Sequence, residues 1–208
     1  NSLDVFNDIL DNYLNDKLKI SKASQYKKHL NSHNVIYIDF SKYDDDCCTY
    51  DDYIANIKEL LQEDIRAAYP DVEFRQKASV AEDLTRVNQQ KKERFIFILD
   101  EWDAVFHMSF VSDKDKEKYL AFLKNLMKGN AYMEFAYMTG ILPIAKYSSG
   151  SELNDFQEYT MAAKEMYSSY FGFTENEVDE LYGRYLKLEK HPKVSRDDLC
   201  LWYDGYHT

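Results

Sequence analysis

Proline and glycine are scarce in this chain, at 3 and 6 of its 208 residues. Both residues interrupt regular structure, so their scarcity favours long helices and short connections over extended loops. Tyrosine and phenylalanine are abundant instead, with 18 and 12 residues, and 45% of the chain is hydrophobic. This content is sufficient for a shared core in one medium-sized domain, or in one domain with a small appendage.

Cysteine is also scarce, with three residues, two of them adjacent at Cys47 and Cys48. Three cysteines do not make a disulfide framework, and no Cys-x-x-Cys spacing is present. We therefore expect all three to be free thiols.

Basic residues are outnumbered, since 26 lysines and arginines stand against 37 acids and give a net charge of −11. A broad basic face for a phosphate backbone is not expected from this balance, so we predict no direct binding of nucleic acid. No apolar run approaches the roughly 20 residues that a membrane-spanning helix needs. No signal-peptide pattern opens the chain, so we expect a cytoplasmic protein without membrane contact.

Five consecutive apolar residues, Phe95 to Leu99, are followed directly by Asp100 and Glu101. A short run rich in β-branched and aromatic residues predicts a strand buried on both faces of a parallel sheet. Ligands of such sheets bind outside the carboxyl ends of the strands, and acids at this position hold Mg²⁺ and polarise the attacking water in P-loop hydrolases. We interpret Asp100 as the magnesium residue and Glu101 as the water-activating one. A strand that simply ends in a solvated turn explains the pair equally well.

Two further apolar runs, at 34–40 and 133–140, predict strands of the same sheet. Helical periodicity and capping boxes predict helices over 2–15, 49–69, 80–92 and 112–128. The resulting order of strand, helix, strand, helix and strand favours right-handed crossovers and a parallel sheet, so the predicted class is α/β.

Two polar residues close to these strand ends have open roles. Thr139 ends the third strand, where its hydroxyl would face the site, although threonine is also a common strand residue. Asp103 either supports Asp100 or caps the turn that follows, and we favour the cap.

The chain changes character after Gly150, where short helices are predicted. Capping boxes begin at Thr174 and Ser195, and apolar residues follow each of them at helical spacing. We predict an α/β core over 1–149 and a helical subdomain over 150–208. Its aromatic residues should be at least partly buried, namely Trp202, Tyr203 and Tyr206.

Five segments match one known family, in order and over nearly the whole chain. They are VIYID at 35–39, FILDEWD at 97–103, TGILPIAK at 139–146, YFGFT at 170–174 and WYDGY at 202–206. On these segments the chain resembles the bacterial AAA-ATPase-like family, whose P-loop ATPase domain is often fused to a restriction-type nuclease domain. The resemblance implies a three-layer P-loop fold that binds ATP and Mg²⁺. It also implies that Asp100 and Glu101 are the Walker B acids and that Thr139 is a sensor of the γ-phosphate or the attacking water.

The family's phosphate-binding loop, Gly-x-x-x-x-Gly-Lys-Ser/Thr, has no counterpart here, because none of the six glycines is followed by lysine. We expect this loop and the first strand to lie upstream of Asn1, in a larger bacterial ATPase. Residues 1–208 alone should then bind ATP weakly or not at all. They should also self-associate, or take a strand from a partner, at the open edge beside Thr139.

Two other functions remain open. A catalytically inactive ATPase-like module that binds a protein partner is the main alternative. A nuclease that holds metal on Asp100 and Glu101 is less favoured, because no lysine follows at the required spacing and the charge opposes DNA.

Overall fold

The computed structural model describes residues 19–143, 156–159, 173–188 and 191–203. The chain divides into two units, Asn1–Asn154 and Asp155–Thr208, which are described separately. The opening helix predicted over 2–15 and the boundary predicted at Gly150 lie outside the described residues.

A parallel sheet of three strands forms the centre of the first unit. Its strands are β1 (Asn34–Asp39), β2 (Phe95–Asp100) and β3 (Met133–Met138), and β2 lies between the other two. Strands β1 and β3 fall within the apolar runs that predicted them, and β2 extends its run by one residue, Asp100. The predicted α/β class with a parallel sheet is thereby confirmed.

Helices connect these strands, and two of them begin at the predicted caps, Thr49 and Ser112. A short helix, α1 (Tyr26–His29), precedes β1, and three longer ones follow, namely α2 (Tyr50–Ala68), α3 (Val80–Lys91) and α4 (Asp113–Met127). The side chains of Thr49, Ser79 and Ser112 each accept a hydrogen bond from a backbone N–H in the first turn of the following helix. These caps satisfy N–H groups that have no partner within the helix, so each helix starts where the local sequence dictates.

One face of the sheet carries the core. Phe95, Phe97 and Leu99 of β2 are buried, together with helical residues that include Leu84, Val87, Tyr119, Leu123 and Leu126. Three buried tyrosines donate their hydroxyls to backbone carbonyls, with Tyr53 reaching Phe40, Tyr119 reaching Trp102 and Tyr132 reaching Leu126. Burial raises the pKa of all three phenols. The abundance of tyrosine is thus explained in part by a core that buries these three rings while their hydroxyls stay hydrogen-bonded.

The opposite face of the sheet is more exposed than predicted for β2. Ile96 and Ile98 are half-buried, and their neighbours are between 40% and 55% exposed, namely Val35, Tyr37, Phe135 and Tyr137. Within the described residues, β2 is therefore fully buried on one face and half-buried on the other.

The second unit contains two described helices, α5 (Glu175–Leu188) and α6 (Arg196–Tyr203). Both predicted capping boxes are present, at Thr174 and at Ser195. Arg196 links the two helices through ion pairs to Glu175 and Asp179. Trp202 is 80% exposed, so its predicted burial is wrong, while the side chain of Tyr203 and the whole of Tyr206 lie outside the described residues.

None of the helices in the described residues combines the length and the apolar character that a bilayer requires.

Candidate functional site

The carboxyl ends of the three parallel strands meet at one edge of the sheet. Asp39 and Asp100 end β1 and β2 and are register partners. Hydrogen bonding continues past the end of β3, because the N–H of Thr139 donates to Leu99 (2.9 Å) and the N–H of Trp102 donates to Thr139 (3.0 Å). This ladder places Thr139 directly beside the end of β2. The structure therefore brings together the three predicted site residues, Asp100, Glu101 and Thr139.

The carboxylate of Asp100 is held by hydroxyl groups from both neighbouring strands. Thr139 Oγ1 donates to Oδ1, and the hydroxyl of Tyr37 donates to Oδ2 across 3.1 Å. The hydrogen bond to Asp100 is the main cause that raises the pKa of Tyr37. Both donors are neutral, and no lysine or arginine in the described part of the chain forms an ion pair with Asp100. The carboxylate is thus oriented while its negative charge stays available to a cation.

Glu101 has a left-handed backbone conformation, with φ of 51°. An L-residue with a side chain adopts this region at a cost of roughly 1–2 kcal/mol, and such strain clusters at functional sites. Its N–H points to Thr139 Oγ1 at 3.4 Å, which is a long contact. The side chain is exposed. The turn therefore presents the Glu101 carboxylate to solvent immediately beyond Asp100.

Asp103 does not have the predicted role. It stands before a short 3₁₀ helix, Ala104–His107, but its side chain makes no capping hydrogen bond to that helix. Instead the buried carboxylate accepts hydrogen bonds from the N–H groups of Ile141 (3.0 Å) and Leu142 (2.7 Å). The predicted cap is thus wrong, because two backbone donors from the loop after β3 occupy the carboxylate.

A model of the AAA-ATPase-like family, described as a predicted AAA-ATPase, matches residues 3–149. The chain belongs to the AAA-ATPase-like family. The matched segment includes the whole sheet and every residue of the site, and family membership indicates nucleotide binding in general terms. No significant match was found among curated proteins or among solved structures.

Sequence reasoning missed two residues at this edge of the AAA-ATPase-like domain, Tyr37 and Asp39. The alternation of strand side chains was the available signal, because Tyr37 pairs with Ile98 and so shares a face with Asp100. Asp39 accepts hydrogen bonds from Ser41 and forms an ion pair with Lys42 at 3.1 Å. The bond from the Ser41 side chain is the main cause that lowers the pKa of Asp39. The negative charge of Asp39 is therefore balanced by Lys42, whereas Asp100 forms no ion pair among the described residues.

A histidine pair was also missed, although His29 and His33 have His-x-x-x-His spacing. Nδ1 of His29 lies 2.9 Å from Nε2 of His33, and the ring centroids are 5.2 Å apart with planes 11° from parallel. Nearly parallel rings with nitrogens this close lie edge to edge, so the two nitrogens share a hydrogen bond. No group of three or more potential metal-binding His, Cys, Asp or Glu residues occurs in the described parts of the domain.

Proposed function

We propose that this chain is the Walker B part of a Mg²⁺-dependent ATPase with a P-loop fold, which binds and hydrolyses ATP in a larger bacterial protein. One observation carries the proposal. Asp100 is oriented by hydroxyls from both neighbouring strands, forms no ion pair with a basic residue among the described residues, and is followed by the strained, exposed Glu101. An anion so prepared at the carboxyl edge of a parallel sheet suits a hydrated cation and its nucleotide.

The sheet order supports the P-loop topology. In the ATPase class that this family resembles, the strand leading into the phosphate loop lies beside the sensor strand. Here the acidic strand β2 is central, and β3 has no second partner among the described strands. We assign the side of β3 that has no partner among the described strands to the strand that leads into the phosphate loop, and residues 1–208 do not supply that loop because none of their glycines precedes a lysine.

The residues of the site fit magnesium with bound nucleotide. Mg²⁺ is held in such sites by one or two carboxylates together with substrate phosphates, so a cage of three protein ligands is not needed. Asp100 would hold the ion directly or through water, and the bound ion would supply positive charge to the phosphate oxygens.

The other two side chains have different roles, with Glu101 acting on water and Thr139 positioning the acids. Glu101 accepts a proton from the attacking water or orients it, since its carboxylate is exposed at the same edge. Thr139 Oγ1 contacts both the Asp100 carboxylate and the Glu101 N–H, so it fixes the spacing between the two acids.

The test compares ATP hydrolysis by the full-length protein and by Glu101→Gln. The amide keeps the shape but loses the base, so we expect a decrease in kcat of about 10²–10⁴-fold with ATP binding retained. Glu59→Gln, an exposed glutamate on α2, is the matched control and should hydrolyse ATP like the wild type. Equal rates for the wild type and Glu101→Gln would refute the proposal.

A protein-interaction module is the second candidate, favoured by the exposed apolar face of the sheet and by the side of β3 that pairs with no other described strand. An unpaired edge strand presents backbone groups to any chain that can add a strand. Absence of nucleotide binding to the full-length protein in calorimetry would support this candidate. A monodisperse monomer of residues 1–208 that binds Mg·ATP at micromolar concentration would contradict both the assigned loop and the predicted self-association.

A further inference from the structure

All three proposed catalytic groups lie at the ends of two neighbouring strands. Asp100 ends β2, Glu101 begins the turn that follows it, and Thr139 begins the loop after β3. Two backbone hydrogen bonds, to Leu99 and from Trp102, hold Thr139 beside the end of β2. The relative position of the turn and the loop keeps Thr139 Oγ1 between the Asp100 carboxylate and the Glu101 N–H. Any contact that fastens one to the other therefore controls the geometry of the site.

Asp103 makes such a contact. Its Oδ2 accepts hydrogen bonds from two successive backbone groups, Ile141 N–H and Leu142 N–H, at 3.0 and 2.7 Å. The residue is only 1% exposed. Hydrogen bonds to an ionised acceptor are roughly twice as strong as neutral ones, and little water reaches this carboxylate to compete for it.

Gly140 completes the contact from the other side. A Cβ atom at this position would lie 2.6 Å from Asp103 Oδ1 and 2.6 Å from the ring atoms Cδ1 and Nε1 of Trp102. These separations are far shorter than van der Waals contact, so no side chain fits. The carboxylate therefore accepts hydrogen bonds from residues 141 and 142 and leaves no room for a side chain at residue 140, immediately after Thr139.

We infer that Asp103 is a positioning residue for Thr139, which it holds through Gly140 and the two N–H groups without touching the nucleotide. We call this set of contacts the Asp103 clamp. The clamp itself does not depend on the proposed function, whereas its effect on turnover rests on it.

Asp83 provides a matched control for a purely structural role. Asp83 and Asp103 are the two buried acidic residues in the described part of the chain. Asp83 pairs with Arg66 and so joins α2 to α3, with no contact to the loops of the site. Loss of either carboxylate should destabilise the protein, but only the loss of Asp103 should change the site.

The first experiment follows amide hydrogen exchange in the full-length protein without nucleotide. In Asp103→Ala, exchange at Ile141 and Leu142 should accelerate about tenfold or more, because their acceptor is gone. Asp103→Asn keeps one acceptor oxygen and should restore most of the protection. Asp83→Ala should leave both amides protected. Unchanged exchange in Asp103→Ala would overturn the clamp.

The second experiment measures kcat and KM for ATP. Asp103→Ala should lower kcat about 10-fold or more with KM changed less than about threefold, and Asp83→Ala should leave kcat unchanged. The double variant Asp103→Ala/Thr139→Ala should be no slower than Thr139→Ala alone, because both act through the same hydroxyl. If the double variant lost kcat by the product of the two single effects, the positioning role of Asp103 would be overturned. A wild type that does not hydrolyse ATP would refute the proposed function and the role of Asp103 in turnover. The amide hydrogen exchange of Ile141 and Leu142 would still show whether the Asp103 clamp exists.

Discussion

The ion pair between Arg66 and Asp83 should respond unequally to loss of its two members. Asp83 is fully buried, and its Oδ2 accepts from Arg66 Nε at 2.9 Å and from Gln62 at 3.0 Å. Its Oδ1 has no hydrogen-bond partner. Arg66 is 35% exposed and also lies over the ring of Phe74. The carboxylate therefore depends on the guanidinium more than the guanidinium depends on the carboxylate.

Two substitutions should lower the free energy of unfolding by different amounts. Arg66→Met leaves a buried charge with a single amide donor, and breaking a buried pair in this way costs about 3–5 kcal/mol. Asp83→Asn removes the charge and keeps an acceptor for Gln62, while the partly exposed Arg66 can turn to water. We expect that variant to lose only about 1–2 kcal/mol.

The assay is urea unfolding followed by tryptophan fluorescence in a Trp202→Phe background. Trp102 is buried in the first unit, whereas Trp202 is exposed in the second, so the background isolates the signal of the unit that holds the ion pair. Midpoints compared at equal slope then give the difference in free energy of unfolding. Asp83→Asn losing as much stability as Arg66→Met would refute the reasoning.

Two further predictions concern backbone strain and pH. Glu101→Gly should be as stable as the wild type, or up to about 1 kcal/mol more stable, because glycine removes the left-handed strain, yet it should lose ATP hydrolysis. Urea midpoints test this, and Glu101→Gly being less stable than Glu101→Ala would contradict it. Burial raises the pKa of Tyr50 to about 12. The unfolded state releases the Tyr50 proton near pH 10, whereas the folded state keeps it up to about pH 12. The free energy of unfolding should therefore decrease as pH rises from about 10 to 12. Tyr50→Phe should decline less steeply over that range, and identical slopes would argue against it.

Local signals explain what sequence reasoning predicted well. A capping side chain and its N–H partner lie three residues apart, so the starts of α2 and α4 could be read directly from Thr49 and Ser112. The apolar runs located the three strands because each run is also a signal within a few consecutive residues. The α/β class follows from the order of these elements.

Contacts across the sheet were not accessible in this way. Tyr37 meets Asp100 only because of the register between β1 and β2, which a single sequence does not reveal. Asp103 has a position typical of a helix cap, but its carboxylate instead accepts hydrogen bonds from two backbone N–H groups 38 and 39 residues away in the sequence. Trp202 was expected to be buried on hydrophobicity alone, yet burial also requires an apolar partner surface.

The parallel sheet has a consequence for how the chain folds. Val35 pairs with Ile96 and Leu99 pairs with Met138, so each strand pairing closes a loop of about sixty or forty residues. Closing such loops costs on the order of 3–4 kcal/mol of chain entropy, whereas the turns of α2, α3 and α4 close over four residues. The helices should therefore form early and the sheet late.

During synthesis, β1 must wait for β2 to emerge. At about 5–20 residues per second, the sixty residues between them take about 3–12 s to translate. For that interval the apolar segment 35–38 lacks β2, its one partner among the described strands, and unpaired apolar segments of this kind aggregate. The acids that follow it, Asp39 and 44–46, lie where charges protect nascent strands. The charge of Asp39 should therefore oppose aggregation of the β1 segment during synthesis, before the folded site forms.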